Sequence, residues 1–482
     1  MAGQLYLPMH KCGIGAAVNT ETPFQDMFQQ AVSIQNRGYD GCGFSLHDLD
    51  SGIIKTYRGP GRVVNVFLES LDASEINSDR GIFNNRYRTT GDTNPQNLQP
   101  IAAGGYVVSH NGNVFNSRRL AEEHGIKLED SDSDTHVIAQ IIRQAGSIKA
   151  GMKLLAEEAL GAFNLAVMDI NGVVGVYRDP WGYHPLFAGR RGKSTYFASE
   201  EPGIHALGIY DAEELKPGDL WLTDGVYTDK ISIRPSRTKS GFPIRTSICS
   251  VEIPYFMNPG GSFGGTLSSQ FRENAGARLA DLDEFPNDGD TIVVPIMNSG
   301  EHYAIGYSER SGIPMKKGFQ VNTAMNRLYM EEDKLSVLGV TPQKMARLKN
   351  MVVPEIVRGK RVIVTDDTIV RAGTVPELIK DLFDAGAEEV HLRIGTSPII
   401  SSCHMGLNHS DTTKLRAATA VENPRTAPLR EMEESVRIGI DGRIKSLRYL
   451  PMEDFKTLLG DKNDHCFGCF TGVYPVPILQ AH

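Results

Sequence analysis

Residues 361–374 read Arg-Val-Ile-Val-Thr-Asp-Asp-Thr-Ile-Val-Arg-Ala-Gly-Thr. The run 361–365 is short, apolar and β-branched, as in a buried strand. Two carboxylates and a loop of small residues follow. A helix then carries Leu378, Ile379, Leu382 and Phe383 on one face, Gly386 stops it, and 390–394 is the next strand. Strand, loop, helix and strand make a βαβ unit, hence a parallel α/β sheet, with 291–295 as a further strand. The chemistry follows from the position. Free N–H groups at a helix start and the helix dipole favour a phosphate, and small residues at 372–374 let the backbone come close. Asp366 and Asp367 suit sugar hydroxyls, directly or through a divalent cation. The pattern asks for a phosphorylated sugar. For an acidic pair alone the plain alternative is a strand ending in a solvated turn, but the nine-residue context argues against it.

Moving outward, the rhythm changes across the polar, basic stretch 230–242. Before it, short β-like runs dominate, at 13–18, 104–110, 164–169, 173–178 and 194–198. Residues 35–43 and the Asn111–Gly112 step read as turns. Helical patterns cover 23–35, 134–144 and 148–158. This half reads as stacked sheets with flanking helices.

The whole chain has 482 residues, enough for about two to four domains. Its 40% hydrophobic and 22% charged content is ordinary for a globular protein. The charge balance of 50 − 58 = −8, with no basic tract, argues against a nucleic-acid partner. No run of about 18 apolar residues predicts a membrane span. The first residues lack a secretory pattern, so a cytoplasmic protein with reduced thiols is expected. Six cysteines, at 12, 42, 249, 403, 466 and 469, are too sparse for a disulfide scaffold. They point to catalysis, a metal site or burial.

Six short motifs stand in the first half: Cys12-Gly13-Ile14-Gly15, Asn36-Arg37-Gly38, Arg86-Tyr87-Arg88-Thr89-Thr90-Gly91, His110-Asn111-Gly112-Asn113, Ser133-Asp134-Thr135 and Arg178-Asp179-Pro180-Trp181-Gly182. Singly each is weak. In this order they resemble class II glutamine amidotransferases. The 366–374 segment resembles the phosphoribosylpyrophosphate (PRPP) motif of type I phosphoribosyltransferases, in the form found in the glutamine PRPP amidotransferase family. The resemblance runs from Cys12 to about residue 475. It implies an α/β chain with an N-terminal four-layer αββα N-terminal-nucleophile domain and a C-terminal parallel-sheet type I phosphoribosyltransferase domain. The expected division is a propeptide at 1–11, the glutaminase at 12–240 and the transferase at 241–482.

The resemblance also implies roles. Cys12 is the nucleophile, and its α-amine, freed by loss of residues 1–11, is the base, with an ordinary pKa of about 8. Asn111 and the Gly112 N–H hold the oxyanion. Arg86 takes the glutamine carboxylate and Asp134 its ammonium. Ser299, Arg327, Asp366, Asp367, Thr368, Arg371, Ala372, Gly373 and Thr374 bind the phosphoribosyl donor, with Mg2+ on Asp366 and Asp367. Cys249, Cys403, Cys466 and Cys469 suit a structural or oxygen-sensing [4Fe–4S] cluster as in one branch of the family. On chemistry alone, Zn2+ or free thiols remain alternatives. Cys42 has no match and reads as buried filler. The implied reaction releases ammonia from glutamine and delivers it through a channel to C1 of PRPP, giving 5-phosphoribosylamine, the first step of purine synthesis. The family expectation is a homodimer or homotetramer.

The departures concentrate in the second half. Met297-Asn298-Ser299-Gly300 stands where the family has Pro-Asp-Ser-Gly, and Val321-Asn322-Thr323-Ala324 where it has Lys-Asn-Arg-Tyr. Glu331-Glu332-Asp333 is acidic where the family tends to be basic, and Ala372 replaces a glycine. Asn36, Arg88 and His136 replace the usual His, Ser and Glu. One carboxylate and two cations are thus missing around the expected pyrophosphate. The alternatives are ammonia transfer to another phosphorylated acceptor in specialised metabolism, or a non-catalytic ligand-binding regulator.

Overall fold

Strand Gly13–Val18 shows how the first half assembles. Its side chains alternate, as the pleat requires. Ile14, Ala16 and Val18 enter a core between two sheets, and Ala17 enters a core beneath helices. The computed structural model describes residues 12–67, 76–87, 95–129, 131–322, 347–370, 375–403, 405, 412–460 and 464–476. The first sheet is antiparallel, in the order Glu213–Glu214, Phe187–Arg191, Ser194–Ala198, Gly13–Val18, Arg80–Arg86, Gly41–Asp48, Ile53–Pro60. The second, also antiparallel, runs Thr228–Ser232, Asp219–Thr223, Val174–Tyr177, Gly161–Asp169, Tyr106–Val114, Ile101–Ala103. Helices Pro23–Ser33 and Glu201–His205 cover the outer face of the first sheet through Phe24, Met27, Ala31 and Ile204. Helices Asp134–Ala145 and Ile148–Glu158 cover the second through Ile138, Ile142, Met152 and Leu155. The result is four layers, αββα.

Two turn readings give way to strands, the first at 41–43, which open strand Gly41–Asp48. Asn111–Gly112 is not a turn but lies inside strand Tyr106–Val114, paired Asn111 to Asn164 and Gly112 to Phe163. The pairing with Gly161–Asp169 outweighs the local turn preference of Asn-Gly. Glycine is still required there. Its φ is +151°, and a Cβ would stand 1.9 Å from the Ala162 carbonyl oxygen.

The second half holds a four-stranded parallel sheet, Thr291–Pro295, Arg361–Asp366, Glu389–Ile394, Ser446–Tyr449. Ile292, Val294, Val362 and Val364 face one core, shared with helix Val375–Asp384. Val293 and Ile363 face the other, with Leu279, Ala304 and Tyr307 of helices Ser268–Asp281 and Glu301–Ser311. Phe319–Val321 pairs antiparallel with Asn350–Val352 in a sheet of their own. Near the chain end, His465–Cys466 pairs in parallel with Ile248–Cys249. The two halves share one buried apolar cluster, from Ile138 and Leu155 through Trp181 to Phe256, Phe271 and Phe470. Among the described residues no helix is long and apolar enough to cross a membrane.

Candidate functional site

Cys12 precedes the first strand and is 6% exposed. The Tyr87 N–H points at its Sγ from 3.4 Å, and Arg37 Nε donates to its carbonyl at 3.1 Å. Burial pushes the thiol up from its ordinary range, while the Tyr87 backbone and the Arg86 charge pull it down. A small cleft brings Cys12 together with Arg86, His110, Gly112 and Asp134. Asp134 opens its helix, and its carboxylate accepts from Val114 N at 2.9 Å. Gln99 was not singled out from sequence, yet it lines the same cleft. Its amide accepts from His110 N at 2.6 Å and donates to Thr135 Oγ1 at 3.1 Å. Asn111 is wholly buried, and neither amide atom of its side chain has a hydrogen-bond partner among the described residues. Leaving such groups unpaired costs about 1–3 kcal/mol each, so a polar visitor is the natural complement.

Arg37 lies behind the cleft, not in it. Its guanidinium reaches Glu200 at 2.6 Å and Glu252 at 3.1 Å, and all three side chains are fully buried. His184 meets Glu252 at 3.0 Å, and Asn36 Nδ2 donates to Glu200 at 3.1 Å. Since Glu252 follows Cys249 by three residues, this knot ties the nucleophile's backbone to the second half. The Arg178-Asp179 motif is not among the residues lining the cleft. Asp179 accepts from Trp181 N and Gly182 N at 2.9 and 2.8 Å, and Arg178 donates to the Gly182 carbonyl at 3.0 Å. The motif shapes the turn that leads to Tyr183.

At the end of strand Arg361–Asp366 the acidic pair is buried, 7% and 5% exposed. Ser299 Oγ donates to Asp366 Oδ1 at 2.7 Å, and Asp367 N donates to the same oxygen at 3.0 Å. Burial raises the Asp366 carboxyl to about 6. Burial and the charge of Asp366 push Asp367 well up from its ordinary value. Ser299 reaches Asp366 because Gly300 packs under Thr365, where a Cβ would stand 2.1 Å from its carbonyl oxygen. Asn298 carries a φ of +73°, a conformation Asn tolerates better than most side chains. Thr368 Oγ1 is buried without a hydrogen-bond partner among the described residues. Arg327, Arg371, Ala372, Gly373 and Thr374 lie outside the described residues, as do Arg88 and 331–333.

Sequence reasoning missed Lys349. Val321 pairs with Asn350, and Asn322 N donates to the Lys349 carbonyl at 2.9 Å. Lys349 therefore stands opposite Asn322, one residue from the partner of Val321, where the family has a lysine. Burial and the nearby Arg62 guanidinium lower its pKa, and Asp366 opposes them. Arg62 comes from the first half, its guanidinium 4.7 Å from the Tyr39 ring centroid.

The four expected metal-binding cysteines gather from three chain segments. Cys249 and Cys466 are register partners, and Cys469 O accepts from Ile400 N and Ser401 N at 2.9 and 3.0 Å. A hydrogen bond to the Cys403 thiol and burial push the Cys469 thiol well up, with Cys249 and Cys466 adding to it. Among the described residues no three His, Cys, Asp or Glu side chains converge as a single metal ion requires. Cys42 packs in the core beneath the first helices, its thiol pushed by burial to about 12.

A glutamine amidotransferase domain family matches residues 85–206. The solved structure of the glutamine PRPP amidotransferase from B. subtilis, complexed with ADP and GMP, superposes with a TM-score of 0.81 over 98% of both chains, at 28% identity. The amidophosphoribosyltransferase of Methanocaldococcus jannaschii is 31% identical, over 97% of this chain and 98% of its own. This chain belongs to the amidophosphoribosyltransferase family. The amidophosphoribosyltransferase of Archaeoglobus fulgidus is similar to it at 32% identity, over 94% of both chains. The fold is that of the amidophosphoribosyltransferases, a class II amidotransferase domain joined to a parallel-sheet phosphoribosyltransferase domain.

Proposed function

We propose that this chain hydrolyses glutamine at Cys12 and transfers the ammonia to C1 of PRPP, giving 5-phosphoribosylamine. The observation that carries the reading is the coexistence of two prepared sites in one chain. One is the Cys12 cleft with Arg86, Gly112 and Asp134. The other is the buried pair Asp366 and Asp367 at a parallel strand end, with Ser299 bonded to it.

Loss of residues 1–11 would free the Cys12 amine. That amine accepts the thiol proton, and the sulfur attacks the glutamine amide carbon. The Gly112 N–H and the unpaired Asn111 amide stabilise the oxyanion. Arg86 and Asp134 hold the two charged ends of the amino acid. The amine returns its proton to the leaving nitrogen, ammonia departs, and water hydrolyses the thioester to glutamate. At the second site Asp366 and Asp367 bind the ribose hydroxyls, the 368–374 loop takes the 5-phosphate, and pyrophosphate leaves as ammonia attacks C1.

The acidic pair fits Mg2+, since two adjacent buried carboxylates with raised pKa values gain from a divalent neighbour. When bound, Mg2+ supplies positive charge to the pyrophosphate. Cys249, Cys403, Cys466 and Cys469 would hold the [4Fe–4S] cluster. Four thiolates suit such a cluster, which would serve structure or oxygen sensing.

Lys349 and Arg62 offset the missing cations in this reading. Lys349→Ala is expected to raise the KM for PRPP about tenfold, roughly the worth of one charge-assisted contact, and to leave the KM for glutamine unchanged. Steady-state kinetics with each substrate varied check it.

The deciding experiment measures glutamine turnover with and without PRPP and Mg2+, on protein purified without oxygen and weighed intact. Phosphoribosylamine from a chain that has lost eleven residues supports the proposal. Glutamine hydrolysis indifferent to PRPP points to another phosphorylated acceptor, and an inert chain retaining Met1 to a regulator.

A further inference from the structure

Tyr183 follows the turn built by residues 178–182 and is fully buried. Its ring stacks on Trp181, centroids 6.1 Å apart and planes 21° from parallel. Its carbonyl accepts from Cys249 N at 3.1 Å, and Cys249 is the register partner of Cys466. This backbone hydrogen bond sets Tyr183 beside Cys249, one member of the four-cysteine set. Burial pushes the Tyr183 phenol well up from the ordinary range, and Cys466, Asp179, Cys403 and Cys249 add to the push. Yet Tyr183 Oη has no hydrogen-bond partner among the described residues.

A buried hydroxyl is rarely left unpaired, because it has given up its bonds to water. A buried tyrosine normally places its O–H on an acceptor. Phenylalanine would fill the same stacked position without this cost. Neutral thiols are weak acceptors. Zn2+ on four thiolates would add no atom beyond them. An iron–sulfur cluster adds inorganic sulfides, and its thiolates and sulfides carry negative charge.

We propose that Tyr183 donates a hydrogen bond to a sulfur of the cluster held by Cys249, Cys403, Cys466 and Cys469, and that this bond raises the cluster's reduction potential. The inference rests on the cluster reading given under Proposed function. A donor at sulfur stabilises the reduced state, the more negative one, more than the oxidised state. Tyr474 is the internal contrast. It too lies near Cys469, Cys403 and Cys466, but its hydroxyl already donates to the Ser402 carbonyl.

The test uses the full chain, reconstituted without oxygen with ferrous iron and sulfide, in H2O and in D2O. Iron content, the resonance Raman bands of the Fe–S stretches and the midpoint potential are measured for wild type, Tyr183→Phe and Tyr474→Phe. Dithionite with mediator dyes serves as reductant. Expected are equal iron contents and a D2O shift in wild type and Tyr474→Phe that is lost in Tyr183→Phe. The midpoint of Tyr183→Phe alone should become more negative. Equal shifts and midpoints in all three proteins overturn the proposal. So does a folded Tyr183→Phe chain that cannot keep its iron, because a tuning bond does not hold a cluster. If wild type itself takes up no iron, the cluster reading has failed, and that is seen before any variant is compared.

Discussion

Cys12→Ala abolishes synthesis of phosphoribosylamine from glutamine, by about a thousandfold or more, as expected for loss of a nucleophile that nothing else replaces. Synthesis from ammonium salts at alkaline pH continues within about twofold of wild type, because the variant leaves the acceptor site intact. The asymmetry follows from where the thiol sits. Among the described residues its side chain hydrogen-bonds with the Tyr87 backbone alone, at 3.4 Å, and its own carbonyl, which the substitution keeps, carries the Arg37 bond. Removing the sulfur therefore deletes chemistry and leaves the Arg37 knot in place. Parallel assays with glutamine and with ammonium chloride measure both halves. Equal loss with both donors would mean that Cys12 supports the fold rather than the chemistry, and would sink the assignment.

Asp367→Asn is expected to lower PRPP-dependent turnover about a hundredfold, with ammonia or glutamine as donor, while PRPP-independent glutamine hydrolysis is kept. The carboxylates carry a further signature in pH. Both have folded pKa values raised by burial, Asp366 to about 6. Between the ordinary carboxylate range and that value the folded chain holds protons that the unfolded chain releases. Raising the pH through this window therefore costs stability, and a divalent cation restores it. Mg2+ with PRPP should lift the melting temperature more at pH 8 than at pH 5.5. Asp367→Asn should lose most of that lift, and without ligands it should be no less stable than wild type at pH 8. Thermal denaturation at the two pH values checks the sign. An equal lift in the variant contradicts the role given to Asp367.

The site was legible where chemistry and local pattern coincide. Apolar runs at 291–295 and 361–365 became neighbouring parallel strands, and 13–18 became the strand that follows Cys12. Asn111–Gly112 was misread because turn propensity is local, whereas its pairing with Asn164 and Phe163 spans some fifty residues of chain. Lys349 was invisible for a related reason. The register of Val321 against Asn350, across residues 323–346, puts it beside Asp366, and sequence spacing does not encode that register. Gln99 gave no signal, since a lone glutamine has no motif. The partnership of Arg37 with Glu252 crosses 215 positions and emerges only when the halves pack.

The shared interior has a consequence for anyone who would treat the halves as interchangeable modules. A chain ended near residue 240 would keep its two sheets but uncover the apolar flank that Phe256, Phe271 and Phe470 seal. Arg37 would keep Glu200 and lose Glu252, one of the two carboxylates that balance its buried charge. Such a fragment should be sticky and sluggish, and grafting a foreign transferase onto it would require an acidic residue where Glu252 stands. The seam between the two halves thus works as one unit, and any exchange of either half has to rebuild it.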